Sequence, residues 1–301
     1  MAKKSSIKRK NRIENTIIYI LLVLLSIIWL LPIVMIIYVS FRPETARNAL
    51  TNWLPAEGAS FAQAMQTMFG NLTVEHYVGL FNDSNYPYLQ WFINTLVVAI
   101  ICMLVNTLFI LATAYTMSRL KFKSRKNLMT INLVLGMFPG FMSMIAIYNI
   151  LKLVGLTSSL VGLTLCYTMT SGMGFYVQKG FFDTVPKSLD EAARIDGATN
   201  AQIFYKIVIP LSKPVIVYTL VTTFMGPWMD YIFCSIILRQ QVDQYTVALG
   251  LYKMISVQEN INTKFTQFFC GSVLVSIPIM AVFLATQKYY VEGVTGGAVK
   301  G

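Results

Sequence analysis

The 25 residues from Thr16 to Ser40 (TIIYILLVLLSIIWLLPIVMIIYVS) contain no charged side chain. A helix needs about 20 predominantly apolar residues to cross the hydrocarbon core of a bilayer, which is about 30 Å thick. The run is longer than the apolar core of a secretory signal peptide, roughly 7–15 residues, and no small-residue cleavage site follows it. It therefore predicts an uncleaved transmembrane helix that tolerates Pro32.

Five further apolar stretches are long enough to cross a membrane. Only 12% of the residues are charged and 55% are hydrophobic, whereas soluble domains average about 25% charged residues. Together these features predict an all-α membrane protein with six transmembrane helices. The fourth span is rich in Thr, Ser and Gly, and we expect it to face protein because small residues allow close helix packing. The five further spans are Trp91–Met117, Leu128–Tyr148, Ser159–Val177, Val215–Leu238 and Phe265–Thr286.

The basic residues predict the orientation of these spans. Of the Lys and Arg residues, 18 lie on the side of both termini and 6 on the other side, and the richer side is cytoplasmic by the positive-inside rule. This asymmetry accounts for the net charge of +11, so the bilayer is the expected partner and no nucleic acid is. The predicted parts are a cytoplasmic tail (1–15), the first transmembrane helix (16–40), an extracellular segment (41–90), a five-helix core (91–286) with a cytoplasmic segment (186–214), and a cytoplasmic C-terminal tail (287–301).

Motifs for catalysis are missing from the sequence. It has no HExxH, no GxSxG and no GxxxxGK[ST], so it lacks these signatures of metalloproteases, serine hydrolases and P-loop ATPases. The four cysteines stand singly inside predicted spans without metal or redox spacing, and we expect them to be core residues. The one histidine, His76, is expected to be exposed and incidental. The chain is therefore predicted not to be an enzyme, and to bind neither a metal nor a cofactor.

The cytoplasmic segment contains SLDEAARIDGATNAQIFYKIVIPLSKP, from residue 188 to residue 214. Ser188 and Glu191 have the spacing of a capping box, which predicts a helix from about Leu189 to Gly197. A second helix is predicted to begin at Thr199 or Asn200, both good N-caps, and to end before Pro210. Paired alanines would let another protein approach the first helix closely; the alternative is an interfacial helix lying on the bilayer.

This segment resembles the permease subunits of binding-protein-dependent ABC importers. The matching pattern is E-A-A, three residues, G, nine residues, I-x-L-P, from which the sequence departs at Ile209, where the family has Leu. In that family the segment is a coupling helix that sits in a cleft of an ATPase subunit, which the resemblance therefore implies here. The implied ATPase-coupling residues are Glu191, Ala192, Ala193, Arg194, Asp196, Gly197, Ile207 and Pro210.

Other stretches are similar to carbohydrate-importer permeases. They are FINTLVVA (Phe92–Ala99), AYTMSRLKF (Ala114–Phe122) and YNILKLVGLTSSLVGL (Tyr148–Leu163), while the ending QKYYVEGVTGGAVKG (Gln287–Gly301) resembles the maltose/maltodextrin branch. The resemblance implies a bacterial cell-membrane permease for a maltodextrin-like oligosaccharide. It further implies a second homologous permease, an ATPase dimer that carries ATP and Mg, and an extracellular sugar-binding protein.

Two smaller sets of residues are candidates for contact with the cargo and with the binding protein. Asp230 is the one acidic residue well inside a predicted span, where a charge costs roughly 2.5–3.5 kcal/mol and usually faces the bundle interior. It is predicted to lie in the substrate pathway with Trp228 and Tyr231; the alternatives are an inter-subunit hydrogen bond or a place near the outer surface. The binding-protein candidates are Gln258, Glu259 and Asn260, for which a solvated loop is the alternative.

A stand-alone secondary transporter or channel is the rival hypothesis. Such proteins often carry several intramembrane charges and repeated halves with broken helices, whereas this sequence has one such charge and no visible repeat. A further alternative keeps the importer and changes the cargo, for example to another oligosaccharide or a glycerol-phosphate ester.

Overall fold

The computed structural model describes residues 2–43, 60–70, 72–169, 174–239 and 241–298. Every regular element in these ranges is helical, which confirms the all-α prediction. The helices are α1 (Ala2–Ser40), α2 (Phe61–Phe69), α3 (Glu75–Asn82), α4 (Tyr88–Arg119), α5 (Arg125–Gly136), α6 (Gly140–Leu153), α7 (Leu160–Met169), α8 (Tyr176–Thr184), α9 (Lys187–Ile195), α10 (Asn200–Ile203), α11 (Ile209–Leu211), α12 (Lys213–Met229), α13 (Ile232–Leu238), α14 (Val247–Ile255), α15 (Gln258–Thr263) and α16 (Phe265–Ala298).

Three of the helices are long and apolar enough to cross a membrane unbroken. They are Glu14–Ser40, Tyr88–Arg119 and Phe265–Tyr289, which correspond to the first, second and sixth predicted spans. In the part of the chain that the structure describes, the number rises to at most five if each of two bent helix pairs is one span. These pairs are Arg125–Gly136 with Gly140–Leu153, and Asn200–Leu211 with Lys213–Met229. The count of six therefore stays a prediction.

The predicted third and fifth spans are broken rather than continuous. The third consists of α5 and α6, bent by 99°, because Pro139 lacks an amide donor and takes an extended conformation with ψ of 119° ahead of α6. The fifth runs through Pro227 in α12 but stops at Asp230, whose ψ of 103° separates α12 from α13. The fourth is short, since only Leu160–Met169 is helical before residues 170–173, which lie outside the described residues.

Contacts divide the chain into two units, and the first consists of residues 1–82 and 255–274. In α1 the large apolar side chains from Ile17 to Val34 are each at least 52% exposed, as suits a helix surrounded by lipid. At its C-terminal end Ser40 hydrogen-bonds Tyr77, with 2.7 Å between the hydroxyl oxygens. His76 is buried, and its Nε2 lies 3.1 Å from the carbonyl oxygen of Pro43. The expectation of an exposed histidine was therefore wrong, because this contact folds it against the end of α1.

The second unit, residues 83–254 and 275–301, is built around α4. Near its start the Trp91 indole nitrogen donates to the carbonyl of Val242 at 2.8 Å. The Asn94 amide nitrogen donates to the carbonyls of Asp243 and Tyr245 at 2.7 and 3.0 Å. These bonds satisfy carbonyls in a segment that would otherwise leave buried polar groups unpaired, so they fix this end of α4 to the start of α14.

A buried apolar cluster joins the other end of α4 to the segment that precedes α12. Its members come from α4, α8, α10, the π turn that follows α10, and α12, and its large side chains hold α8 and α10 against α4. Close van der Waals packing of such side chains stabilises helix contacts in a membrane protein. The cluster residues are Ile110, Leu111, Ala114, Tyr115, Phe175, Phe182, Ile203, Val208 and Val215.

Burial confirms the prediction for the cysteines. Cys102, Cys166, Cys234 and Cys270 are all buried and unbridged. Buried thiols behave as small apolar side chains, in agreement with a packing role.

Candidate functional site

The segment 186–214, predicted to be cytoplasmic, folds as two short helices, but the first one begins earlier than predicted. Helix α9 starts at Lys187, directly after Pro186, and no side chain caps it. Ser188 is therefore the second residue inside the helix, and the predicted capping box with Glu191 is wrong. Proline decides the start, because its fixed φ and missing amide suit the residue ahead of the first turn.

The turn after α9 follows the prediction. Gly197 has φ of +83°, and its amide donates to the carbonyl of Arg194 at 3.1 Å, while the Ala198 amide donates to Ala193 at 2.9 Å. These two bonds form the Schellman motif, in which a glycine in the left-handed region ends a helix. The helix itself ends at Ile195, two residues before the predicted end.

The second helix has a complete capping box. Thr199 Oγ1 accepts from the amide of Gln202 at 3.3 Å, and the Gln202 side chain accepts from the Thr199 amide at 2.8 Å, so the predicted start is confirmed. The predicted end before Pro210 is wrong, because a π turn over Phe204–Val208 leads into α11, which contains that proline. A π turn widens the helix and leaves room for the pyrrolidine ring.

A buried ion pair holds α9 against α4. Arg119 Nε lies 3.3 Å from Asp190 Oδ2, and both side chains are almost completely buried. Arg119 Nη2 also donates to the carbonyl of Val185 at 2.8 Å. Sequence reasoning missed this pair, although both residues lie inside the motifs that carried the resemblance. The available signal was a charged residue in each of the two helices, Arg119 in α4 and Asp190 in α9.

Further polar contacts tie the last turns of α4 to the same segment. Ser118 donates to Asp183 Oδ1 at 2.6 Å, and Tyr115 donates to the carbonyl of Asn200 at 3.0 Å. Lys179 pairs with the other oxygen of Asp183 at 2.6 Å. Partial burial on its own would raise the pKa of Asp183, but the hydrogen bonds from Lys179 and Ser118 outweigh it and lower that pKa.

The opposite face of α9 points away from the protein. Ile195 is 86% exposed and Leu189 is 41% exposed, although both are apolar. Neither residue was among the predicted coupling residues. Of those, Ala193 and Ile207 are half-buried and the others, namely Glu191, Ala192, Arg194, Asp196, Gly197 and Pro210, are exposed. The outer side of α9 therefore presents apolar and charged side chains that no described residue covers.

A groove beside this face is lined by polar and basic groups. It has a volume of about 870 Å³ and runs between the end of α4 and the turn after α9. Arg119 and Lys121 line it on the α4 side, and Arg194 lines it on the α9 side. A partner with acidic side chains would complement it electrostatically.

A second site surrounds Asp230 at the break between α12 and α13. Asp230 Oδ1 accepts from the amide of Phe233 at 2.9 Å, and Oδ2 accepts from the Tyr167 hydroxyl at 2.8 Å. The carboxylate borders a cavity of about 360 Å³ between α4, α7 and α12. The cavity is lined by Cys102, Asn106, Ile110, Tyr167, Gly174, Thr222, Thr223, Gly226, Pro227 and Asp230.

The other predicted pathway residues lie elsewhere than in this lining. Trp228 is buried, with its ring centroid 5.2 Å from that of Phe92. Tyr231 pairs with Tyr252 at a centroid distance of 4.1 Å. Sequence reasoning did not find Asn106, Tyr167 or the two threonines, because nothing local marks a helix face that borders a cavity.

The residues predicted to contact a binding protein open α15. Gln258 and Glu259 are exposed and Asn260 is half-buried. They belong to the first unit of the chain, and their exposure leaves two of the three accessible to a partner.

Comparison with known proteins gives consistent matches along the chain. The family described as "Binding-protein-dependent transport system inner membrane component" matches residues 107–295. The galactooligosaccharides transport system permease protein GanQ of Bacillus subtilis (strain 168) is 32% identical over 99% of both chains. The maltodextrin transport system permease protein MalD of Streptococcus pneumoniae (strain ATCC BAA-255 / R6) is also 32% identical over 99% of both chains. The maltose/maltodextrin transport system permease protein MalG of Yersinia pestis is 30% identical over 90% of this chain and 88% of the relative.

Solved structures share the fold. The crystal structure of a bacterial ABC transporter involved in the import of the acidic polysaccharide alginate contains a chain that matches with a TM-score of 0.72 and 21% identity. The match covers 94% of this chain and 98% of that chain. With the family match over more than half of the sequence, these findings show that the chain belongs to the binding-protein-dependent inner-membrane components, as a permease of the ABC sugar importers.

Proposed function

We propose that this chain is one of two permease subunits of an ATP-driven bacterial importer for a maltodextrin-like oligosaccharide. An extracellular binding protein delivers the sugar, and an ATPase dimer docks on residues 186–214 from the cytoplasm, where both termini lie. Relatives named for maltodextrin and for galactooligosaccharides support this class of cargo. A related alginate transporter was solved in complex with a saccharide-bound periplasmic protein, which supports a binding-protein partner.

The observation that carries the docking proposal is the two-sided character of α9. Its inner face is fixed to α4 by Arg119 and Asp190, and its outer face presents Ile195 to a partner at 86% exposure. A helix that is rigidly attached on one side and unpartnered on the other can transmit a displacement of that partner to α4 and α12. ATP-driven closure of the ATPases would thereby switch the access of the transport pathway between the two sides of the membrane.

The proposal assigns Glu191, Ala192, Ala193, Arg194, Asp196, Gly197, Ile207 and Pro210 to coupling with the ATPase. It places Asp230, with Trp228 and Tyr231 nearby in sequence, on the sugar pathway. Gln258, Glu259 and Asn260 are assigned to contact with the binding protein, because they open an exposed helix.

The test is to separate ATP hydrolysis from uptake. We expect replacement of Glu191 by Ala, or of Gly197 by Ala, to reduce sugar uptake by at least tenfold in proteoliposomes while the ATPase remains active. Glu14→Ala, an exposed acidic residue outside the segment, is the matched control for the first variant and should transport normally. Wild-type uptake and wild-type stimulation of hydrolysis in both coupling variants would show that the ATPase docks elsewhere.

The rival of a stand-alone transporter is tested by the same preparation. A pulldown of this chain should retain an ATPase and a second permease. Uptake by this chain alone that persists after ATP is depleted would favour the secondary transporter instead.

A further inference from the structure

We propose that the cavity beside Asp230 is a subsite for the hydroxyl groups of a neutral sugar ring, and that it disfavours acidic saccharides. The inference rests on the proposed function and adds a chemical selectivity that resides in this chain. It depends on which hydrogen-bonding groups the cavity offers and on the charge of its lining.

The dimensions of the cavity suit a small part of a saccharide. Its volume of about 360 Å³ lies at the lower end of the range of ligand pockets, roughly 300–1,000 Å³. It lies between helices of a membrane bundle, which is a common place for ligand sites.

Asn106 gives the most direct indication of a ligand. Its side chain is only 8% exposed, it lines the cavity, and its Oδ1 has no hydrogen-bond partner within the described part of the chain. A buried carbonyl oxygen that stays unpaired is costly, and most such groups have a partner. A sugar hydroxyl in the cavity would supply the missing donor.

The neighbouring hydroxyls in the lining also present acceptors. Thr222 Oγ1 donates its proton to the carbonyl of Tyr218 at 2.9 Å, and Thr223 Oγ1 donates to that of Thr219 at 2.8 Å. A hydroxyl has a single proton but two lone pairs, so both threonines can still accept. The Tyr167 proton is directed to Asp230. Apart from the amide nitrogen of Asn106, which donates, these polar groups of the lining present acceptors and complement a ligand that donates.

Charge adds a second criterion. Asp230 brings a carboxylate to the lining, and none of the described residues that line the cavity is Lys, Arg or His. The carboxylate of a uronic acid is negative and only accepts hydrogen bonds when ionised. In a low-dielectric site it would meet a like charge and a lining that offers more acceptors than donors. A neutral ring, whose hydroxyls donate, has neither difficulty.

Gly226 provides a direct way to fill the cavity. It lines the cavity, and a Cβ added at this position would meet no atom within 4 Å. Gly226→Leu should therefore be accommodated by the fold while it occupies the subsite, with Gly226→Ala filling it less. Gly136→Leu is the matched control, because Gly136 also faces open space but lies at the end of α5, outside the lining.

The first experiment measures ATP-driven uptake of maltotriose into proteoliposomes that contain the whole complex and its binding protein. We expect at least a tenfold decrease for Gly226→Leu, an intermediate decrease for Gly226→Ala and wild-type uptake for Gly136→Leu. Asn106→Leu, which removes the acceptor at similar volume, should also lower uptake by about tenfold. Retained stimulation of the ATPase by the binding protein would show that these variants assemble.

The second experiment measures selectivity without the binding protein. Radiolabelled maltotriose is bound to the purified complex with a non-hydrolysable ATP analogue, and a trimer of galacturonate is added as competitor. The wild type should bind maltotriose at least tenfold more tightly than the acidic trimer, and Asp230→Asn should reduce this preference at least threefold.

The outcomes separate the two proposals. Absence of ATP-driven uptake by the wild-type complex would overturn the proposed function. Normal uptake by the wild type, Gly226→Leu and Asn106→Leu alike would overturn the subsite and leave the function standing. Equal competition by the acidic trimer in the wild type would overturn the selectivity.

Discussion

At the Trp91 end of α4, neutral hydrogen bonds fix the helix to the start of α14, whereas at the Arg119 end an ion pair fixes it to α9. The neutral bonds run from the side chains of Trp91 and Asn94 to backbone carbonyls ahead of α14, at ordinary hydrogen-bond distances. The charged contact is an ion pair without a hydrogen bond, since Arg119 Nε and Nη1 and Asp190 Oδ1 have no hydrogen-bond partner in the described residues. A buried ion pair is costly to form and far more costly to break, so the Arg119 end adds a specific attachment to the apolar packing already present there.

The largest expected effect comes from breaking that ion pair. Asp190→Asn leaves the buried Arg119 charge unpaired, which should lower the free energy of unfolding by about 3–5 kcal/mol. Glu191→Gln makes the same chemical change on the neighbouring exposed residue and should leave stability within about 0.5 kcal/mol. Thermal unfolding of both variants in detergent is the measurement. Equal stability of the two would show that the pair contributes nothing to the attachment.

The other end of α4 should be sensitive to added volume instead of charge. A Cβ at Gly250 would overlap the ring of Trp91, so Gly250→Ala should cost about 1–3 kcal/mol through overpacking. Gly180→Ala is the control, because a Cβ there meets nothing within 4 Å. Alanine in its place should stabilise α8 by roughly 0.5–1 kcal/mol. Unfolding in detergent distinguishes these opposite signs, and destabilisation by both would contradict the packing argument.

A smaller effect discriminates between two capping boxes. Thr199→Ala removes the observed cap of α10 and should cost about 1 kcal/mol. Ser188→Ala removes a hydroxyl that caps nothing and should have no such cost. Hydrogen exchange of the amides of Gln202 and Ile203 reports the difference locally. Faster amide exchange at the start of α9 in Ser188→Ala would instead support the capping box of Ser188 and Glu191 that the sequence predicted.

The smallest expected effect is a pH dependence at Asp183. Its pKa is lowered in the folded protein. Its contribution to the free energy of unfolding is therefore fully present above the ordinary aspartate pKa, and it is lost as the pH falls through the lower pKa of the folded state. Stability should therefore be insensitive to this group at neutral pH and decrease below about pH 4. Comparison of acid unfolding in the wild type and in Asp183→Asn checks this. If the free energy of unfolding changed with pH differently in the two proteins near pH 7, the lowered pKa of Asp183 would be contradicted.

Features that depend on local sequence were predictable. The helix ending at Ser40 could be predicted from composition, because a run of 25 mostly apolar, uncharged residues favours a membrane helix whatever its tertiary contacts. The turn at Gly197 could be predicted because glycine adopts positive φ far more readily than other residues do. The capping box failed because Ser188 and Thr199 have the same local pattern, and only the position of Pro186 decides between them.

Features that depend on tertiary contact were not predictable. Arg119 and Asp190 are 71 positions apart in sequence, and neither residue type identifies its partner. The acceptor on Asn106 becomes informative only when its cavity is seen. The break at Asp230 likewise needs the hydrogen bonds of that carboxylate to Tyr167 and Phe233, which stabilise a non-helical residue inside an apolar run.

Cysteine cross-linking at Ala192 bears most closely on the proposed docking of the ATPase on α9. Ala192 is exposed and the four native cysteines are buried, so an introduced thiol would be the most accessible one among the described residues. In membranes that contain the assembled importer, Ala192→Cys should cross-link to the ATPase subunit, whereas Ser84→Cys, exposed in the segment expected outside the cell, should not. Capture of the ATPase by Ser84→Cys, or labelling of Ala192→Cys only by reagents confined to the outside, would contradict it.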